Sequence, residues 1–387
     1  MAKYILWISV ALIFYTYVGY LIFLAMLSCF HRKKVIKDSA FRPRVSLIIA
    51  AHNEEKSIEE KLKNTLDLDY PVELLEIIVT SDCSSDRTDD IVKGYSNRNI
   101  LLFQNVSRVG KTEAQNKAVE IALGSILLFS DATTFYNKDL VKKIVRNFAD
   151  PAVGCVEGKL VFVKDINDRY VRKNGFFTQI ELLIREKEGE INSVVGVSGC
   201  VYAVRKELYQ PMNKNLVSDL AISFIIHDQG YRIIHEKEAV AFEEYAPDLT
   251  MEMKRNIRTV CQGWVAATIL CAERIKKRHY FYYDLFYIQF ISHKLLRWLS
   301  PFLLGVIFIT NTIIIMGNGS SFYVLFLLIQ LIYYGFGMLN IACNMRYTGK
   351  ISFLNIPVYF FLYNVAGAIG FYKYLWGDKK PAWSTAR

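Results

Sequence analysis

Three aspartates stand where an apolar run gives way to a turn or a helix. Asp82 ends EIIVTSD, Asp131 ends SILLFSD, and Asp219 lies in LVSDLAIS ahead of a helix-like stretch. Carboxylates at such places suit three tasks. They accept hydrogen bonds from a nucleotide, they give hard oxygen ligands to a divalent ion bridging phosphates, and they take a proton from an attacking hydroxyl. Asp131 suits the second task and Asp219 the third. Glu54, in AAHNEE one strand before Asp82, adds a further acceptor. Lys111, in the Gly-Lys pair of RVGKTEAQNKA, puts a cation at a helix start, where backbone N–H groups also favour a diphosphate. The GxxxxGK[ST] spacing of a P-loop is absent. Each residue also has a plainer reading: turn chemistry for Asp82, helix-dipole stabilisation for Asp219, a surface lysine for Lys111. The ordered set points to transfer from a nucleotide-linked donor to a hydroxyl.

Short buried strands alternating with helices must position these groups. RVSLIIAA (44–51), LEIIVTSD (75–82), NILLFQ (99–104) and SILLFSD (125–131) read as strands. Helical patterns follow them at 52–66, after Asp86, at 112–123 and at 138–148. This alternation predicts a mostly parallel sheet covered on both faces, with ligands beyond the carboxyl ends of the strands. After Pro151 come strand patterns at 153–163 and 194–205, and helical ones at 176–190 and 219–230. Residues 248–278 read as a long basic amphipathic helix along a membrane interface. On it, Gln262 and Trp264 offer a platform for an acceptor sugar, although a Trp there also serves as an interface anchor.

The 387-residue chain is 52% hydrophobic and 14% aromatic, too apolar for an ordinary water-soluble protein, and the excess is uneven. Residues 5–30 carry no charge, which is long enough to cross a bilayer. Further apolar runs occupy 298–316, 322–343 and 353–372. A cleaved signal peptide fits the first run less well, because it is long and lacks a small-x-small cleavage site. His31-Arg32-Lys33-Lys34 then suits the cytoplasmic flank of an anchor. The expected organisation is an anchor at 1–30, a cytoplasmic catalytic domain at 31–247, interface helices at 248–297 and a membrane region at 298–387. Four crossings would put the basic Lys379, Lys380 and Arg387 outside, so one apolar run should be interfacial or re-entrant, or 280–298 should add a crossing, against which Asp284 argues. The net charge of +10 fits attraction to anionic lipid headgroups, and no nucleic-acid motif is present. Seven scattered cysteines without a CxxC pair exclude a zinc site of the usual spacing.

The motifs AAHNEE, EIIVTSDCSSD, GKTEAQNKA, LLFSDATT, GVSGCVYAVRKE, SDLAISFIIHDQGY, SHKLLRWLSPF and the terminal W-x-x-x-R occur in an order that resembles membrane-anchored family 2 glycosyltransferases. That inverting group includes cellulose, chitin and hyaluronan synthases, and the likeness is greatest to bacterial exopolysaccharide enzymes. The resemblance implies an α/β GT-A domain with a mostly parallel mixed sheet, a UDP-sugar donor, a divalent metal (Mg²⁺ or Mn²⁺) and a glycan or lipid-linked acceptor. It implies that Ala51, Glu54, Asp82 and Lys111 contact the nucleotide, that Asp131 meets the metal and phosphates, and that Asp219 is the catalytic base. The localisation it implies is a multi-pass protein of the inner membrane. Three departures stand out: Thr133 at the second acidic position of the DxD motif, Ser218 beside the catalytic Asp, and Val260 and Gly263 in place of the Gln and Arg of QxxRW. A non-catalytic membrane subunit that keeps a nucleotide-binding fold is the rival expectation.

Overall fold

The computed structural model describes residues 1–166, 175–245, 249–276, 284–317, 319–342 and 355–377. Lys277 and Arg278, the basic residues Lys379, Lys380 and Arg387, and the W-x-x-x-R run at 383–387 lie outside the described residues.

The sheet strands are β1 (Val45–Ala51), β2 (Leu75–Ser81), β3 (Ile100–Gln104), β4 (Ile126–Asp131), β5 (Phe135–Tyr136), β6 (Val153–Val163), β7 (Val201–Arg205) and β8 (Arg232–Glu244). The helices are α1 (Ala2–Phe30), α2 (Ile58–Leu66), α3 (Thr88–Lys93), α4 (Lys111–Ile121), α5 (Leu140–Val145), α6 (Phe176–Ile191), α7 (Ser218–Asp228), α8 (Leu249–Lys276), α9 (Leu285–Met316), α10 (Ser321–Ala342) and α11 (Asn355–Leu375).

All eight strands join one sheet in the order β3-β2-β1-β4-β7-β6-β8-β5. β1 is buried at every position and pairs in parallel with β2 and β4. This is what a continuous Val/Ile run predicts for a central strand covered on both faces. β7 then runs antiparallel to β4 and β6, which makes the sheet mixed. Helices α2 and α5 cover one face and α4, α7 and α8 the other. Two segments differ from their sequence patterns. Only 201–205 of the predicted 194–205 strand joins the sheet, and the preceding residues leave it as a loop. β8 carries a charged half, HEKE, that hides its strand character, yet it pairs in parallel along β6.

Three helices are long and apolar enough to cross a membrane among the described residues: α1, α9 and Ser321–Asn340 of α10. The second begins at Leu285, well before the apolar run at 298. Asp284 does not break it. Its carboxylate caps the first turn by accepting from the Phe286 N–H at 3.0 Å, and it pairs with His227 and Arg274. The fourth apolar run forms α11, which packs along α8. A Cβ on Gly370 would lie 2.9 Å from the Ile257 carbonyl, so the two backbones touch.

Two buried residues hold the site's elements in place. Gly124 leads into β4, and a Cβ there would lie 2.4 Å from the Ser46 amide nitrogen of β1. Lys61, on α2, is 0% exposed. Its Nζ donates to the Thr134 carbonyl at 2.5 Å and stands 3.8 Å over the Tyr136 ring. Tyr136 in turn donates to the Cys200 carbonyl at 2.9 Å. The lysine therefore pins the turn after Asp131 to the loop at 198–200.

Gly124→Ala is expected to cost about 1–3 kcal/mol through overpacking against rigid backbone, read as a lower Tm of the detergent-purified protein. Burial pushes the Lys61 pKa down to about 7, against the partial support of Cys200 and Asp131. The unfolded chain then binds more protons between pH 7 and the ordinary lysine range, so the Lys61 contribution to stability rises with pH through that window and is lost as pH falls to about 7. The Tm of Lys61→Met relative to the wild type should therefore improve on going from pH 10 to pH 7, and a constant difference would contradict this.

Candidate active site

At the carboxyl ends of β1 and β2 the chain builds a tight turn pair. The Asp82 N–H donates to the Ala51 carbonyl at 2.9 Å, and His52 Nδ1 lies 2.8 Å from the Asp82 carbonyl. Glu54 is buried, with Ser57 Oγ donating to its Oε2 at 2.6 Å. Asp82 is fully buried as well. Its Oδ1 accepts from the Val109 N–H at 2.7 Å and its Oδ2 from the Gly110 N–H at 2.9 Å. Both oxygens thus serve the loop that delivers Lys111. Gly110 has φ +92°, a left-handed conformation that favours glycine, and α4 starts at the next residue. Asp82 therefore positions the loop that presents Lys111.

Lys111 connects this turn pair to the chemistry. Its Nζ lies 2.5 Å from Asp131 Oδ1 at the end of β4 and donates to the Gly199 carbonyl at 3.1 Å. Gly199 touches Asp219: a Cβ on that glycine would be 3.2 Å from Asp219 Oδ2. Burial pushes the Asp219 carboxyl above its ordinary value, while Lys111, the Leu220 N–H, Lys294 and Arg185 pull the other way. Burial opposes the Lys111 charge too, but Asp131 and Asp219 outweigh it and raise its pKa. A cation between two carboxylates is the electrostatic centre of the site.

Lys111, Asp131, Asp219 and Gln262 line one cavity of about 410 Å³. Ala51, Glu54, Asp82 and Trp264 do not line it. Trp264 faces the other way, with its ring centroid 5.6 Å from Trp298, 5.1 Å from Phe371 and 6.1 Å from Tyr374. The expected acceptor platform at Trp264 is thus a packing contact that joins α8, α9 and α11. Trp298, from α9, lines the cavity instead. It fills the space over Gly263, where a Cβ would meet the indole at 2.6 Å. The wall also contains Arg185, Lys294 and Glu243, which the sequence reading missed. The only sequence signal for Lys294 was its place in SHKLLRWLSPF, at the head of an apolar helix.

The residues fit a metal of one particular kind. Asp131 offers one hard carboxylate at the cavity wall, and its neighbour Thr133 offers no second one. No group of three His, Cys, Asp or Glu among the described residues is placed to hold an ion by itself. Such a site suits a Mg²⁺ or Mn²⁺ that arrives with a diphosphate and takes most of its ligands from phosphate oxygens and water.

Comparison with known proteins places this geometry. Residues 46–211 match the family described as Glycosyl transferase family 2. The probable glycosyltransferase YdaM of Bacillus subtilis (strain 168) is 26% identical over 264 residues, covering 64% of this chain and 62% of that protein. Poly-beta-1,6-N-acetyl-D-glucosamine synthase of Staphylococcus aureus (strain COL) is 25% identical over 262 residues, covering 64% of this chain and 61% of the synthase. The chain thus spans about three fifths of the length of these curated relatives. Among solved structures, the mannosyltransferase PcManGT from Pyrobaculum calidifontis, in complex with GDP-Man and Mn²⁺, superposes with a TM-score of 0.71. It is 23% identical, and the match covers 97% of this chain and 100% of that one, a likeness of fold. Residues 46–211 thus resemble a family 2 glycosyltransferase domain, on a fold shared with a solved mannosyltransferase, and the chain also has helices long and apolar enough to span a membrane.

Proposed function

We propose that the protein is an inverting glycosyltransferase that moves a sugar from a UDP-sugar to a hydroxyl of a glycan or lipid-linked acceptor. The reaction takes place at the cytoplasmic face of the inner membrane and serves exopolysaccharide or capsule synthesis. The observation that carries this reading is the single cavity in which Lys111 stands between Asp131 and Asp219. Kinship with a poly-N-acetylglucosamine synthase supports the polymer context.

The acceptor hydroxyl attacks the anomeric carbon while Asp219 takes its proton. The bond from that carbon to the phosphate oxygen breaks, and the nucleoside diphosphate leaves. Burial makes Asp219 a stronger base than an exposed aspartate. Lys111 and the start of α4 stabilise the charge that grows on the leaving phosphate. Asp131 would hold a divalent ion against the diphosphate, and that ion supplies further charge neutralisation. Ala51 and Glu54, buried outside this cavity, shape the turn after β1, and Asp82 sets the loop that presents Lys111. Among the described residues three helices can cross a membrane; with the catalytic domain inside, three crossings leave α11 on the cytoplasmic side, where it packs on α8.

The test is nucleoside diphosphate release by the detergent-purified protein against UDP- and GDP-sugars, with Mg²⁺, Mn²⁺ or chelator and a native lipid extract as acceptor source. One UDP-sugar should be selected, and Asp219→Asn should lower its turnover by about 10²–10⁴-fold. The acid limb of the rate profile should lie above the ordinary aspartate range of about 3.9, because transfer needs Asp219 ionised and its pKa is raised. Selection of a GDP-sugar would overturn the donor assignment. Turnover unchanged in Asp219→Asn would overturn the mechanism, and donor binding without any transfer would favour a non-catalytic subunit.

A further inference from the structure

The place of Asp219 in the cavity is set by the helix that carries it. Its Oδ1 accepts from the N–H of the next residue, Leu220, at 2.7 Å, and its carbonyl accepts from the Val197 N–H at 3.1 Å. Among the described residues its carboxylate accepts no hydrogen bond from a side chain. The carboxylate therefore goes where the N-terminus of α7 goes, and whatever holds α7 as a body holds the base.

The far end of α7 is held by the head of the span α9. Phe224 packs edge-on against Phe286, Tyr287 and Phe290, with ring centroids 5.2, 5.6 and 5.1 Å away. One turn later His227 stacks on Phe286 at 4.2 Å, and its Nε2 lies 2.8 Å from Asp284 Oδ2. Asp228, the last residue of α7, accepts from the Tyr287 hydroxyl at 3.1 Å and pairs with Arg274. Arg274 comes from the end of α8 and is buried. It donates to the Tyr287 hydroxyl at 2.6 Å, meets Asp284 at 3.2 Å and stands 3.9 Å over the Tyr287 ring. One guanidinium thus ties together the ends of α7 and α8 and the head of α9. A buried ion cluster is weak evidence for stability, because desolvation offsets much of its attraction. Its rigid fork of donors does fix geometry.

That geometry is referred to the membrane. The span α9 has 32 residues, about 48 Å at 1.5 Å per residue, against a hydrocarbon core of about 30 Å. Its apolar run begins after Lys294 and Arg297, so the residues before it stand on the side of the catalytic domain. This head is a lever of roughly 18 Å. A change in span tilt of about 10°, well inside the usual range, moves its tip by about 3 Å. A misplacement of about 1 Å at reacting groups can cost about 10²-fold in rate. Resting on the proposed transferase reading, we infer that Arg274 and Asp284 are positioning residues for Asp219. They clamp the far end of α7 to the head of α9, so the seat of the base follows how that span sits in the bilayer. Neither residue lines the cavity, so the clamp acts through α7 and not on the donor.

The experiment places the full chain in phosphatidylcholine nanodiscs of short, intermediate and long acyl chains. It measures kcat with the selected donor sugar, the affinity of the nucleoside diphosphate, and Tm. Wild-type kcat should change with acyl length while the nucleotide affinity stays constant. Arg274→Met should lower kcat by about tenfold or more, leave the nucleotide affinity unchanged and flatten the dependence on acyl length. Arg274→Lys should recover part of the kcat. Asp284→Asn keeps a residue suited to the helix cap and loses the charge, so it provides a variant that folds and should show the same flattening. A wild-type kcat that ignores acyl length, or one acyl-length profile shared by all variants, would overturn the inference. So would a fall in kcat matched by an equal fall in nucleotide affinity or in folded protein, since the cluster would then be structural alone. Absence of transfer by the wild type in every bilayer would instead remove the transferase reading, so the two failures are read separately.

Discussion

The site depends on one ammonium group. Lys111 holds Asp131 at 2.5 Å and the Gly199 carbonyl at 3.1 Å, and Gly199 lies against Asp219. Two carboxylates in one cavity repel unless a cation lies between them. The rest of the domain keeps that cation in place. Asp82 gives both oxygens to the loop ahead of it, Gly110 turns the chain with a positive φ, and α4 begins at Lys111 itself. Lys61 and Tyr136 fasten the turn after Asp131 to the loop beside Asp219. The groups around Asp131 and those around Asp219 are thereby linked through backbone and buried side chains, not through the surface.

The membrane helices are part of the same construction. Buried His293 of α9 stands between Glu188 and Glu181 of α6, at 2.9 Å from each. Tyr20 of α1 donates to Glu188 at 2.7 Å. Tyr15 and Ser292, each in a π-turn of its own helix, meet at 2.9 Å. On the far side of the domain, Arg274 of α8 and Asp284 at the head of α9 meet Asp228 and His227 of α7, the helix that carries Asp219. Buried polar contacts of this type are costly when half satisfied. They set the angle of the spans relative to the helix that carries Asp219 and do more than anchor the domain.

Much of this was legible from periodicity. The first four strands are short apolar runs that end in turn residues, and the carboxylates at their ends stand out for that reason. A span with a charged head was harder to read, because Asp284 looks like an interruption until its capping role is seen. β8 was hidden because its pairing with β6 overrides a charged sequence. Lys61 looks like a solvated helical lysine, and only the tertiary fold shows that α2 turns it into the core. For Trp264 the spacing left an acceptor platform and an anchor both open, and the packing of α11 decides which way its ring faces.

The most direct test of this account is the affinity of the nucleoside diphosphate for Lys111→Met, measured by titration calorimetry with and without Mg²⁺. If Lys111 is the cation that passes from Asp131 to the donor phosphate, the substitution should weaken binding at least about tenfold, the scale of a charge-assisted hydrogen bond. Most of that loss should persist with Mg²⁺ present. Unchanged affinity under both conditions would mean that Lys111 serves only to hold the two carboxylates apart, and the electrostatic centre proposed for the site would be wrong.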